Sequence, residues 1–135
     1  MPRRKFAISE GMKQNLLNCS FENLVVTWLM QDGWQVFTPI LDHGHRTDVL
    51  ISDGEQYFRL QVKTIDGAKG KKQEVENKWQ DCKIDFVIYF ARNGEWGYIV
   101  PAFSEKKKVL NAPEHKSFLL KKGDFLTAFH TVDLV

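Results

Sequence analysis

Between residues 9 and 32 apolar side chains return every third or fourth position: Leu16, Leu17, Phe21, Leu24, Val25, Trp28 and Leu29. That period lays them along one side of an α-helix, and Gly33 stands where a C-terminal cap would end it. The pattern then shortens. "WQVFTP" reads as a short strand closed by Pro39, "LDHGHRT" as a polar, turn-rich loop, and "DVLIS" as a strand with Asp48 at its mouth. The Asp-Gly turn in "DGEQ" leads into a longer strand, "YFRLQVKTI", so a hairpin is expected. Residues 66–80, "DGAKGKKQEVENKWQ", read as a polar, lysine-bearing connection without a clear apolar face. "IDFVIYFA", 84–91, is almost continuously apolar, as a strand buried on both faces would be, and the turn Arg92-Asn93-Gly94-Glu95 returns it as "WGYIVP". The remainder, "FSEKKKVLNAP" and "KKGDFLTAFHTVDL", is expected to be helical or irregular and to pack around the sheet edge. A helix, several strands with a long polar insertion, then mixed elements describe an α/β or α+β fold around a central sheet. No repeat, low-complexity tract or boundary divides the chain, so residues 1–135 are expected to form a single domain.

Composition adds limits. Hydrophobic residues at 43% and charged ones at 27% fit a soluble globular protein with a genuine core. No apolar stretch approaches a membrane span, and "MPRRKFAISEGM" lacks the hydrophobic segment of a signal peptide, so a cytoplasmic, intracellular location is expected. Cys19 and Cys82 share no metal-ligand spacing and read as small core or boundary fillers. Net charge is only +2, but lysine is concentrated in "GAKGKK", "EKKK" and "LKKGD", and "PRRK" opens the chain. Such clusters suit phosphates as well as they suit solubility.

Candidate chemistry begins with "QYFRLQVK". Alternate side chains of a strand share a face, so Gln61 and Lys63 point together while Val62 points away. The hairpin adds Asp48 from the neighbouring strand, and Glu22, beside the apolar stripe of the first helix, is placed to reach the same end of the sheet. A carboxylate, a neutral amide oxygen and a second acid suit a hard divalent cation such as Mg²⁺, which keeps several waters and takes few protein ligands. Lys63 would then orient the attacking water, stabilise the pentacovalent phosphate or accept a proton. Asp42, His43 and His45 in "LDHGHRTD" make a rival metal-like cluster, short of the four ligands a zinc site wants. Asp53 is most simply a turn residue and Asp85 a strand-leading one. The tryptophans 28, 34, 79 and 96 read as packing residues, with Trp79, inside a lysine-bearing segment, the one worth considering as a base-stacking platform. Lys69, Lys71, Lys72 and Lys78 could track a phosphate backbone, and Arg46 could contact the scissile strand.

"TDVLI", followed after a turn by "FRLQVKT", with "FENLVVTWLMQDGW" upstream and "DCKIDFVIYF" downstream, resembles the PD-(D/E)XK nuclease superfamily. More narrowly it is similar to the small group I intron-encoded homing endonucleases in which Gln-x-Lys replaces Glu-x-Lys. The resemblance spans roughly residues 10–101 and rests on four residues in the order Glu, Asp, Gln-x-Lys. It implies a restriction-endonuclease-like α/β core, a central mixed β-sheet flanked by helices. It also implies Asp48 as the central metal ligand, Gln61 as the second ligand position, Lys63 as the catalytic lysine and Glu22 as the helix acid. The implied activity is Mg²⁺-dependent endonucleolytic cleavage of double-stranded DNA, Mn²⁺ substituting, by a homodimer or homotetramer. A structure-specific nuclease of the Holliday-junction type and a catalytically inactive DNA- or protein-binding module share the same core. Two departures stand out: Thr47 replaces the proline of the superfamily name, and Gln61 removes a negative charge from the metal site.

Overall fold

The computed structural model describes residues 1–42, 44–67, 72–79 and 81–133. The first helix, α1, runs over Glu10–Gln31. Ser9 caps it by accepting the Met12 N–H, and Phe21, Val25, Trp28 and Leu29 form its buried side. Gly33, at φ 97°, stops it: the N–H of Gly33 reaches the Met30 carbonyl and that of Trp34 reaches Leu29. A β-carbon would resist that backbone conformation.

Strands β1 (Gln35–Phe37), β2 (Val49–Ser52) and β3 (Tyr57–Ile65) follow as an antiparallel meander. The expected hairpin is present, its turn tied by the Asp53 carboxylate, which accepts the N–H groups of Glu55 and Gln56. Strand β5 (Phe86–Ala91) lies parallel to β3, which is why a long crossover separates them. β6 (Trp96–Pro101) and β8 (Lys116–Leu119) complete a six-stranded mixed sheet in the order β1-β2-β3-β5-β6-β8. The helix α2, Lys122–His130, packs back on β8 and α1, and a hydrogen bond of 2.7 Å joins the His130 ring at its end to the Asp32 carboxylate at the end of α1.

Two expectations fail here. The connection 66–80 holds a strand, β4 (Glu74–Glu76), with Val75 and Trp79 both buried. The stretch 102–121 is likewise more than helix and irregular chain, since it contains β7 (Lys107–Val109) as well as β8. β4 and β7 pair as a separate two-stranded sheet, with Glu74 and Glu76 facing Val109 and Lys107 across the ladder. Three-residue strands offer too short a run for a period of two to stand out, and the apolar positions Val75, Trp79, Phe103 and Leu110 are spread over two segments.

The sheet therefore buries both faces, but unequally. On one face α1 and α2 cover Phe58, Leu60, Val62, Phe86, Ile88 and Phe90; the ring of Phe21 stacks on Phe90 at 4.6 Å. On the other, β4, β7 and their flanks cover Val87, Tyr89 and Val100. Each fully buried side chain of this size contributes about 1.5–3 kcal/mol. The small sheet reaches only the β5–β6 side of that second face, and over β1, β2 and β3 the side chains of Phe37, Tyr57 and Arg59 stay exposed. Cys19 is exposed on α1 and so fills no core, while Cys82 is half-buried.

Candidate active site

Asp48 sits where β2 meets β3. Its backbone N–H donates at 3.0 Å to the carbonyl of Leu60, the residue that Val49 already faces, so the ladder bulges here and Asp48 and Val49 together oppose Leu60. β2 goes no further, so the edge of β3 beyond this point is open, and the Asp48 carboxylate accepts the freed Val62 N–H at 2.7 Å. Strand alternation puts Val62 in the helix-side core and leaves Gln61 and Lys63 on the other face, next to Val87 and Tyr89 of β5. The Gln-x-Lys pair and the acid are thus on neighbouring strands at one level, as the hairpin predicts.

Gln61 is 3% exposed, and its Oε1 is buried with no hydrogen-bond partner among the described residues. A buried amide oxygen left alone costs about 1–3 kcal/mol, so packing does not account for a glutamine at this point. Lys63 is half-buried and forms no ion pair among the described residues. Tyr89, its neighbour across the parallel ladder, also keeps a buried hydroxyl without a partner, and burial pushes that phenol up.

Glu22 reaches this corner from α1. Burial raises its carboxyl pKa first, the Asp48 charge raises it further, and Lys63 opposes both. Asp48 is raised by burial, held back by the Val62 N–H and by Lys63, and raised again by Asp42. Of the four residues expected at the site, Glu22, Asp48 and Lys63 therefore lie within reach of one another's charge, and Gln61 shares a strand face with Lys63. Asp42, read from sequence only as part of a rival histidine cluster, adds its charge to Asp48 instead. His45 is exposed, His43 lies outside the described residues, and among the described residues no three His, Cys, Asp or Glu side chains converge as a metal cage.

The donors present fit a cation that needs little from the protein. Asp48 offers an anionic oxygen, Gln61 an amide oxygen unpartnered among the described residues, and Glu22 a second carboxylate. That is an all-oxygen set with few protein ligands, as Mg²⁺ takes and zinc does not.

Of the residues expected to touch a phosphate backbone, Arg46 and Lys78 come together. They line one cleft of about 280 Å³ with Gly44, Asn77, Asp81 and Cys82, and the Cys82 thiol ties the two walls by donating to the Gly44 carbonyl at 3.1 Å. Arg46 adopts φ 62°, which is uncommon for a residue with a β-carbon and throws its side chain out of the loop. Lys72 is exposed but lines no cleft with them, and Lys69 and Lys71 lie outside the described residues. Trp79 is no stacking platform: it is 5% exposed and meets Phe103 edge-on at 5.0 Å. A cavity of about 520 Å³ between β8 and α2 includes none of the candidate site residues.

No family model matches the chain, and no curated protein matches it. Among solved structures it is similar to a bacterial homing endonuclease, I-Ssp6803I, with 18% identity over 73% of this chain and 75% of that one, at a TM-score of 0.56. The Holliday junction resolvase Hjc from Archaeoglobus fulgidus aligns with 13% identity over 70% of this chain and 83% of its own, at a TM-score of 0.48. The first of these likenesses establishes that the chain has a nuclease-type α/β fold with a central mixed sheet. No helix among the described residues is long and apolar enough to cross a membrane.

Proposed function

We propose that the chain is a metal-dependent DNA endonuclease that hydrolyses phosphodiester bonds, site-specific in the manner of a homing endonuclease. The observation that carries the reading is the buried Gln61 Oε1, unpartnered among the described residues, on the strand whose Val62 N–H the Asp48 carboxylate accepts. A bound Mg²⁺ or Mn²⁺, held by Asp48 and Gln61 with Glu22 behind them, would neutralise phosphate charge and acidify water. The chain's own groups do the rest. Lys63 hydrogen-bonds the phosphate and orients the attacking water; as that oxygen bonds to phosphorus its proton passes to bulk water, the bond from phosphorus to the ester oxygen breaks, and the leaving oxygen takes a proton from solvent. Arg46 and Lys78 hold the strand by its phosphates and fix its direction across the site.

A chain of 135 residues covers few base pairs, and cutting both strands of a duplex calls for two sites. A homodimer or homotetramer is part of the proposal. A structure-specific nuclease of the Holliday-junction type uses the same groups. A catalytically inactive binding module is the reading that the missing second carboxylate at position 61 favours.

Plasmid nicking in Mg²⁺ or Mn²⁺ tests the assignment. Wild type is expected to cut, and Asp48→Ala and Lys63→Ala to lose at least about 100-fold in rate, the range for removing one group that stabilises transition-state charge. Cleavage undiminished in both variants refutes the site; salt-sensitive DNA binding without cleavage in any metal selects the inactive module.

A further inference from the structure

The candidate site lies on the border between the two halves of one sheet face. Toward β5 and β6 the small sheet walls it off; toward β1 and β2 the face is open. Register places Phe37 beside Leu50, Leu50 beside Arg59, and Tyr57 two positions before Arg59, so all four share the face of Gln61 and Lys63. Phe37 and Tyr57 are 37% and 60% exposed, with ring centroids 6.2 Å apart. Next to them the loop after β1 holds out Ile40 and Leu41, 106% and 77% exposed. A cavity of about 300 Å³ opens there, walled by Phe37, Leu41 and Leu50 and edged by Asp42, His45 and Arg59.

An exposed apolar patch rimmed by polar groups marks a contact surface. Its position selects the occupant. A polynucleotide with one phosphate at Asp48 and Lys63 is blocked on the β5 side by the small sheet, so the adjoining nucleotides must cross this open floor. The chemistry agrees, since aromatic rings with a guanidinium beside them take the faces of nucleobases, and Arg46 and Arg59 meet phosphates. Bases in an intact duplex have no free faces to offer.

We propose that the open half-face formed by Phe37, Tyr57 and Arg59, with Leu41 above it, is a stacking platform for unpaired nucleobases flanking the cleaved phosphodiester. It rests on the nuclease reading in its structure-specific form, not on homing-type cleavage of intact duplex, and narrows the substrate to DNA that is single-stranded or splayed beside the cut. The cavity, at the small end of the roughly 300–1,000 Å³ range of ligand pockets, is matched to one such base.

The test is metal-free binding of the full chain to three oligonucleotides: single-stranded, duplex with an unpaired segment, and plain duplex. A 2-aminopurine in the unpaired segment reports stacking. Wild type is expected to prefer the two unpaired substrates by about tenfold and to quench the 2-aminopurine. Phe37→Ala and Tyr57→Ala, both at exposed positions, should each weaken that binding at least about fivefold with an unchanged salt slope, whereas Arg59→Ala should flatten the slope. Equal affinity for all three substrates, or variants that bind like wild type, overturns the platform even if wild type nicks plasmid. A wild-type dimer that Tyr57→Ala dissociates in sedimentation also overturns it, assigning the face to a second copy of the chain. Platform-dependent binding with no cleavage in any metal upholds the platform and overturns the nuclease reading; no DNA binding overturns both.

Discussion

Replacing Gln61 by glutamate probes the spatial premise of the site directly. The Asp48 carboxylate accepts the N–H of Val62, the residue after Gln61, and consecutive α-carbons are about 3.8 Å apart, so a carboxylate at position 61 would stand about 5 Å or more away. Two carboxylates about 5 Å apart repel by roughly 3 kcal/mol at an effective dielectric of about 20, and partial exposure of Asp48 trims that to about 2–3 kcal/mol. Position 61 is 3% exposed, so burial adds to the penalty, and Asp48 and Glu22 already have raised pKa values. Without metal, Gln61→Glu should therefore melt about 7–10 °C below wild type near pH 8, taking the usual unfolding entropy for a chain of this length. A carboxyl with a folded pKa above its unfolded value binds more protons folded than unfolded between the two. The deficit must then shrink as pH falls toward 5, where the new carboxyl takes up a proton. Mg²⁺ should reverse it, because a second anionic oxygen tightens cation binding, and each tenfold gain returns about 1.4 kcal/mol. Thermal melts at pH 5 to 8, with chelator and with Mg²⁺, read all of this. A variant as stable as wild type at pH 8 in chelator, or with no larger Mg²⁺ shift, would mean that the two side chains do not share a site.

Three further outcomes follow from the fold. His115, with its side chain fully buried, accepts the N–H groups of Asn111 and Ala112 on Nδ1, and burial lowers its pKa against the opposing charge of Glu114, while Lys108 adds to the lowering. The folded state then favours the neutral ring, so stability should hold above the unfolded value of about 6.5 and fall as pH drops below it; urea melts of wild type and His115→Gln should differ in that slope, and identical slopes refute it. Trp79→Ala should cost about 3–5 kcal/mol in denaturant unfolding, as a core truncation does; unchanged stability with weakened DNA binding would restore the stacking role that burial denies it. At Gly97 an added β-carbon would run into the Tyr89 carbonyl oxygen and the Phe118 ring, so Gly97→Ala should cost several kcal/mol or abolish soluble expression, and a wild-type melt would contradict the β5–β6 approach.

The strands that hold the site were legible because each carries its own signal. β3 and β5 are long enough for their periods to show, and Gly33 and the Asp-Gly turn mark the ends of α1 and of the hairpin. Glu22, Asp48, Gln61 and Lys63 followed from that alternation and from the resemblance. What stayed hidden depended on tertiary contact. Val75 looks like an isolated valine among charges until β7 pairs with β4, and Trp79 looks like a surface ring until Phe103 meets it. Cys19 errs the other way, since a helical position reads as buried only if something packs on that part of α1. Arg59 carried a signal of its own, since it shares the parity of Gln61 and Lys63 along β3.

β3 also sets the surroundings of the candidate site. Along its outer face exposure falls from Tyr57 and Arg59, which are solvated, to the buried Gln61 and half-buried Lys63, because cover from the small sheet begins there. Charge at that border is poorly hydrated, and burial is the leading cause of the raised pKa of both Asp48 and Glu22. Lys63 supplies one positive charge against these two acids, so a proton or a cation must supply the rest. Binding of a divalent ion should then displace protons wherever the raised carboxyls are partly protonated. Near about pH 5 calorimetric Mg²⁺ titrations in two buffers of different ionisation enthalpy should give different heats, and by about pH 8, with both acids ionised, the difference should vanish. Asp48→Asn should lose most of the difference at the lower pH. Measurable binding at pH 5 whose heat does not depend on the buffer would put the cation elsewhere, away from the corner where α1, β2 and β3 meet.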